Sequence, residues 1–425
     1  MKARRVLLRA LLALLAVFVL LAVAVVALNL RGEDPVRDAR AEDFVASPGQ
    51  VERGRYLALA GNCAGCHTAR GGPAYAGGRG IETPFGTLYT SNLTPEPLTG
   101  IGLWNADHFW RAMHNGRSRD GRLLYPAFPY TSFTHMTRED SDAIYAWLRT
   151  LPPAAQANRA HTLAFPYDTQ AALAVWRAIF FTPGRFEPQA QRSAEWNRGA
   201  YLVGGLGHCI ACHGSRNSLG ATDTARGLVG GMLPGENWYA PALDAASEAG
   251  VAGWDTNEVV TLLKTGRTAH ASVLGPMAEV VYRSTQYLSD ADLRAMAVYL
   301  QALPQAPTAA PAPAGRRNEA VLQRGEKIYA QQCSWCHGER GEGVAGTFPP
   351  LAGNRAVNMR NASNLVQVVR RGGFLPATEG NPQPYGMPPF GHLIDDADIA
   401  AVLSYVRASW GNTGGEVTQR EVMQR

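Results

Sequence analysis

Cys63-Ala64-Gly65-Cys66-His67, Cys209-Ile210-Ala211-Cys212-His213 and Cys333-Ser334-Trp335-Cys336-His337 are three copies of one pattern, and together they use every cysteine in the chain. With six cysteines and ten histidines among 425 residues, chance yields one such pattern about twice in a thousand chains. Two thiols three positions apart on a helical turn can each form a thioether to one vinyl group of a haem, and the histidine that follows presents its imidazole to the iron. Structural disulfides require no histidine after every second cysteine. A redox Cys-x-x-Cys of the thioredoxin type needs a βαβ setting that the sequence does not show, and zinc needs four ligands where each copy offers three. The chain is therefore expected to carry three covalent haem c groups, on Cys63 and Cys66, Cys209 and Cys212, and Cys333 and Cys336. His67, His213 and His337 are the expected axial ligands.

Repetition extends beyond the cysteines. Upstream of each copy stands an Arg-Gly pair with a tyrosine close behind: Arg53-Gly54 with Tyr56, Arg198-Gly199 with Tyr201, and Arg324-Gly325 with Tyr329. Each is expected on a helix that leads into the haem turn. Downstream come extended loops at residues 89–93, 239–243 and 348–351, then short apolar helices stopped by Gly116, Gly266 and Gly372. A last helix opens with Thr137-Arg138-Glu139-Asp140, Ser289-Asp290-Ala291-Asp292 or Asp395-Asp396-Ala397-Asp398. Hydroxyls and acids there satisfy free N–H groups and suit the helix dipole. This order predicts an all-α fold class, with three tandem cytochrome c domains at residues 45–152, 195–303 and 317–411 behind an N-terminal transmembrane helix. Residues 153–194 read as a linker with a short helix at 171–181, whose Trp176, Phe180 and Phe181 are expected to pack against the domains or, in the alternative, to contact a partner or the membrane. Residues 304–316 read as a stiff Pro/Ala linker, and 412–425 as a tail.

The second face of each iron sets its potential and access: methionine there raises the potential, and an open position permits ligand chemistry. Met277 in Gly275-Pro276-Met277 and Met387 in Gly386-Met387-Pro388-Pro389 both fall between the glycine-stopped helix and the last helix. Methionine usually fills cores, but proline-marked loops at this position make these two the expected sixth ligands of the second and third irons. The first repeat departs, because its stretch reads Tyr125-Pro126-Ala127-Phe128-Pro129 and phenylalanine cannot bind iron. Met136, just before the cap of the last helix, is the candidate there. His135 and His114 are alternatives that would make a bis-histidine site, a five-coordinate iron is another, and Met113 is expected in the core.

Residues 10–28 carry no charge, with Lys2, Arg4, Arg5 and Arg9 before them and Arg31, Glu33 and Asp34 after. A cleaved signal has roughly 7–15 apolar residues, whereas ~18–20 suit a span. Residues 1–32 are therefore expected as an uncleaved anchor in a bacterial inner membrane, with Val25-Val26-Ala27 as a weak cleavage site in the alternative. Basic residues ahead of the helix keep that end in the cytoplasm and place the haem domains in the periplasm. Those basic residues supply four of the five net positive charges, and no basic stripe follows, so nucleic acid is not an expected partner.

Longer strings carry a resemblance. Gly54-Arg55-Tyr56-Leu57-Ala58, Ser91-Asn92-Leu93-Thr94 with Gly100-Ile101-Gly102, Glu195-Trp196-Asn197-Arg198-Gly199-Ala200-Tyr201-Leu202, Ser284-Thr285-Gln286-Tyr287-Leu288-Ser289 and Ser409-Trp410-Gly411-Asn412 resemble the triheme cytochrome c subunits of membrane-bound periplasmic dehydrogenases. That family includes the subunits of quinoprotein alcohol dehydrogenases and of flavin-dependent gluconate or sorbitol dehydrogenases, with relatives that accompany molybdenum hydroxylases. The resemblance spans residues 51–412. It implies three covalent haems and a large catalytic dehydrogenase partner: a quinoprotein, a flavoprotein or a molybdenum enzyme. The implied acceptor is ubiquinone or the respiratory chain with its terminal oxidase. Phe128 stands where the alcohol dehydrogenase relatives carry methionine. No paired carboxylates in a defined cleft, nucleophile elbow, phosphate-binding loop or dinucleotide fingerprint competes, so no catalytic residue is assigned. The expected function is electron transfer, with a peroxidase-like enzyme using an open first haem, or a free-standing carrier, as alternatives.

Overall fold

The computed structural model describes residues 2–37, 44–269, 271–306 and 318–424. From residue 307 on, the expected linker at 304–316 lies outside the described residues. The chain divides into two compact units, residues 1–55 with 67–187, and residues 56–66 with 188–425.

The first unit opens with α1 (Lys2–Leu30), one unbroken helix over the apolar run. The helix α2 (Pro48–Ala60) begins in this unit and leads to α3 (Cys63–His67). A hairpin of β1 (Gly80–Thr83) and β2 (Gly86–Tyr89) is joined by β3 (Thr162–Leu163) into an antiparallel sheet. Then come α4 (Ala106–Asn115), α5 (Tyr130–Phe133), α6 (Arg138–Leu148) and α7 (Gln170–Phe180). Two of the caps are those the sequence signals, Thr137, which accepts from the backbone N–H three residues on, and Gly116, which stops α4 with φ of 59°; Asn105 caps the start of α4 in the same way as Thr137. Where α2 crosses α6, a β-carbon on Gly54 would stand 1.8 Å from the carbonyl oxygen of Ala143, so only glycine permits the approach. Arg53 Nε donates to Asp140 Oδ1 at 2.8 Å beside that crossing.

The second unit repeats the crossing twice. Its elements begin with α8 (Ala194–Tyr201), which runs on into a π turn at Leu202–Leu206, and α9 (Ile210–His213). Next are β4 (Gly231–Met232), β5 (Tyr239–Ala240), α10 (Thr256–Thr265), α11 (Pro276–Arg283) and α12 (Asp290–Gln301). After the undescribed stretch come α13 (Glu319–Gln332), α14 (Ser334–His337), α15 (Arg355–Asn358) and α16 (Ser363–Arg371). The chain closes with β6 (Gly373–Phe374), β7 (Gly386–Met387), α17 (Asp396–Ala408) and α18 (Gln419–Met423). A β-carbon on Gly199 would lie 1.9 Å from Ala295 O, and one on Gly325 would lie 2.2 Å from Ala401 O. Arg198 Nε reaches Asp292 Oδ1 at 2.8 Å, and Arg324 Nε reaches Asp398 Oδ1 at 2.6 Å. One helix crossing, with one ion pair at its edge, thus occurs three times.

Two expectations need correction. The fold is mostly helical rather than all-helical, because antiparallel pairs form at β1–β2–β3, β4–β5 and β6–β7. Strands of two to four residues are too short for an alternating pattern to mark them in the sequence. Of residues 412–425, expected as a tail, the described residues 412–424 instead cover the third repeat. Thr418 and Glu421 form a capping box, and Val417 and Val422 are buried against Val366, Ile399 and Leu403. Arg407, itself buried, donates to the carbonyls of Val357 and Met359.

Candidate haem-attachment sites

Each Cys-x-x-Cys-His pattern lies on or across a single helical turn, α3, α9 or α14, at the end of the helix that carries the Arg-Gly pair. The imidazole that follows is oriented the same way each time. His67 Nδ1 lies 2.7 Å from Ser91 O, His213 Nδ1 lies 2.7 Å from Pro241 O, and His337 Nδ1 lies 3.0 Å from Pro349 O. A carbonyl oxygen only accepts, so Nδ1 carries the proton and the Nε2 lone pair is left for a metal. Burial lowers the pKa of all three histidines, against the raising effect of those bonds, and favours the neutral ring that ligation requires.

The accepting carbonyls belong to the downstream extended loops, and each loop is fixed by polar side chains. Buried Asn92 accepts from Thr94 N at 2.9 Å and donates to Ala154 O at 2.8 Å, which secures the stretch after Ser91. Glu248 accepts from Ala242 N at 2.7 Å and from Tyr239 Oη at 2.9 Å, bracketing Pro241. Burial first, and this carboxylate second, raise the Tyr239 pKa, so the phenol keeps its proton and keeps donating. Asn412 donates to Leu351 O at 3.0 Å and accepts from Gly353 N at 3.0 Å, just past Pro349. Glu248 carried no signal in sequence; Asn92 and Asn412 stood inside the strings that carry the resemblance, but without a role.

No disulfide joins any of the six cysteines, all of which lie among the described residues. Burial, and then the neighbouring cysteine, push the Cys63 and Cys209 thiols up to about 12 and the Cys333 thiol up to about 11. That is opposite to the depressed thiolates of redox-active pairs. Among the described residues no three His, Cys, Asp or Glu side chains converge as a metal cluster. Two thiols and one imidazole on one turn, the imidazole held by a carbonyl, is the donor set that fits a covalent haem and not a four-ligand zinc site.

The expected sixth ligands divide into two kinds. Met277 stands in the first turn of α11 and Met387 in β7, and both are partly exposed. Met136 is 0% exposed, enclosed by protein on all sides. It precedes the cap residue Thr137 as Leu288 precedes Ser289 and Ile394 precedes Asp395, and those two residues also turn inward. His114 is buried, with Nδ1 2.8 Å from Thr134 O and its ring stacked on Trp110 at 4.4 Å. His135 is half-buried, Met113 is buried, and Phe128 packs on Phe133 with ring centroids 5.4 Å apart.

A helical fold with this donor set defines a c-type cytochrome. The cytochrome c family model matches residues 51–152 and 322–410, which leaves the Cys209–His213 segment outside the matched residues. The chain is 39% identical over 388 residues to the alcohol dehydrogenase (quinone) cytochrome c subunit of Gluconacetobacter polyoxogenes, covering 88% of this chain and 83% of that one. It is 35% identical over 398 residues to the gluconate 2-dehydrogenase cytochrome c subunit of Pantoea cypripedii, covering 89% and 90%. Identity to the fructose dehydrogenase cytochrome subunit of Gluconobacter japonicus is 33% over 403 residues, covering 88% and 82%. The chain belongs to the family of cytochrome c subunits of dehydrogenases.

Proposed function

We propose that the chain is a three-haem electron-transfer subunit that receives electrons from a catalytic dehydrogenase partner in the periplasm and passes them towards quinone or a terminal oxidase. The observation that carries this reading is the segment outside the family match. Around Cys209 and Cys212 recur the Gly199 crossing, the Arg198–Asp292 pair, the His213–Pro241 bond and a partly exposed methionine at 277. The two flanking segments, which share the glycine crossing, the ion pair and the histidine–carbonyl bond, match the cytochrome c family, which supports three sites rather than two.

A haem bound at each site supplies reversible one-electron chemistry, and the protein's part is to bind, orient and tune it. Cys63 with Cys66, Cys209 with Cys212, and Cys333 with Cys336 provide the thioethers. His67, His213 and His337 provide proximal nitrogens whose orientation the three carbonyls fix. Met277 and Met387 provide distal sulfurs for the second and third irons, raising their potentials. Complete burial supports a packing role for Met136, and this reading assigns the first iron no methionine. The apolar helix α1, long enough to cross a bilayer, supports a membrane anchor.

The test is reduction of the complex purified from its own membranes. Adding the substrate of the co-purifying large subunit without air is expected to reduce the haem bands, and a ubiquinone analogue to reoxidise them. Bands that respond only to peroxide, with rapid turnover by the isolated chain, would overturn the reading in favour of a peroxidase.

A further inference from the structure

Helix α7 is amphipathic the wrong way round for water. Its one charged residue, Arg177, is 3% exposed. The guanidinium donates to Asn29 Oδ1 at 2.9 Å and lies over the rings of Tyr130 and Phe181 at 5.1 and 4.9 Å. On the outward side, Ala171, Val175 and Ile179 follow one another at four-residue spacing as an exposed apolar stripe, with Val175 47% and Ile179 64% exposed. A helix facing solvent puts polar residues on that side.

The place of this stripe says what covers it. Helix α7 is fastened to the end of α1: Asn29 Nδ2 donates to Ala174 O at 2.9 Å, and Arg31 donates to Thr182 Oγ1 at 2.8 Å. Among residues 2–28 of α1, Val25 alone is half-buried and the others are exposed. The uncharged run 10–28 measures about 28 Å at 1.5 Å per residue, close to the ~30 Å hydrocarbon core. Val25 therefore lies about 5 Å inside the end of that run, the depth at which interfacial helices sink their apolar face. Half-buried Trp176 beside the stripe suits the same boundary.

We propose that α7 is an interfacial helix seated in the periplasmic leaflet, with Ala171, Val175 and Ile179 among the lipid acyl chains, so that the first unit is held down on the bilayer at a second point beside its anchor. This rests on the reading of α1 as a membrane span.

The test uses the full-length, haem-loaded protein in phosphatidylethanolamine/phosphatidylglycerol nanodiscs, in its air-oxidised form, with one nitroxide on an introduced cysteine. Ile179→Cys is compared with Leu20→Cys in α1 and with Leu103→Cys, which replaces a half-exposed loop residue of the same unit. Haem content confirms that each variant is folded, and Val175→Cys serves as a second reporter on the stripe. The label at 179 is expected to collide with oxygen and to be shielded from a water-soluble nickel chelate, as at 20, while 103 shows the reverse. A label at 179 that meets nickel as 103 does, while 20 stays shielded, overturns the proposal and leaves the span intact. One that is immobile and shielded from both reagents overturns it in favour of a protein partner. Nickel access at 20 removes the span itself and the proposal with it.

Discussion

Gly199 meets Ala295 so closely that a β-carbon on the glycine would stand 1.9 Å from the alanine's carbonyl oxygen. The neighbouring atom is backbone, so it cannot swing aside. Gly199→Ala is expected to separate α8 from α12, strain the Arg198–Asp292 pair and cost about 1–3 kcal/mol, the usual range for overpacking, or more. Calorimetry of the loaded protein, with haem content per chain, reads both effects. The same substitution at Gly204, where a β-carbon meets nothing within 4 Å, is the comparison and is expected to fold with full loading.

Met277 and Met387 are expected to ligate one iron each. Met277→Ala and Met387→Ala should each remove part of the sulfur-to-iron charge-transfer absorption of the oxidised protein and lower the potential of one haem. Spectropotentiometry separates the haems. An unaltered titration in either variant would remove that residue from the ligand set.

Met136→Leu is expected to leave every haem band unchanged. The side chain is enclosed where Leu288 serves in the second repeat, and Leu288 is itself 2% exposed. A volume-conserving swap there should cost less than about 1.5 kcal/mol. Met136→Ala should cost roughly 2–5 kcal/mol by opening a cavity, again without spectral change. Loss of charge-transfer absorption in the leucine variant would make Met136 a ligand after all.

Asp107 gives the protein an acid-sensitive point. The hydrogen bond from Arg37 holds its carboxyl well below the usual carboxylate range, burial opposes that, and Arg138 adds to it. A carboxyl depressed in the native state contributes stability above its unfolded pKa of about 3.9 and loses it as the pH falls through the native value. Asp107→Asn should therefore lower the melting temperature at neutral pH. Its deficit relative to the parent should shrink once the pH drops below about 4. A deficit constant from about pH 7 to about pH 2 would assign the effect to shape rather than charge.

The cysteines, histidines, glycine stops and capping acids were legible in sequence because each is a local signal repeated three times. The Arg-Gly pairs stood out as a pattern, but their meaning is tertiary: glycine is needed by the carbonyls of Ala143, Ala295 and Ala401, and arginine by the acid beside them. The carbonyl partners of His67, His213 and His337 were hidden, since a backbone oxygen has no sequence signature. Glu248 was hidden because an acid in a loop looks like any solvated acid until its bonds to Ala242 and Tyr239 are seen. The role of α7 depended on a contact between Asn29 and Ala174, residues 145 apart.

The central claim is three covalent sites, and it is counted most directly by intact-mass spectrometry of the denatured chain, with pyridine haemochrome absorbance per polypeptide. Three haem mass increments, each lost singly in the double variants C63S/C66S, C209S/C212S and C333S/C336S, are the expected result. A fully matured chain with two increments, unchanged by C209S/C212S, would contradict the account.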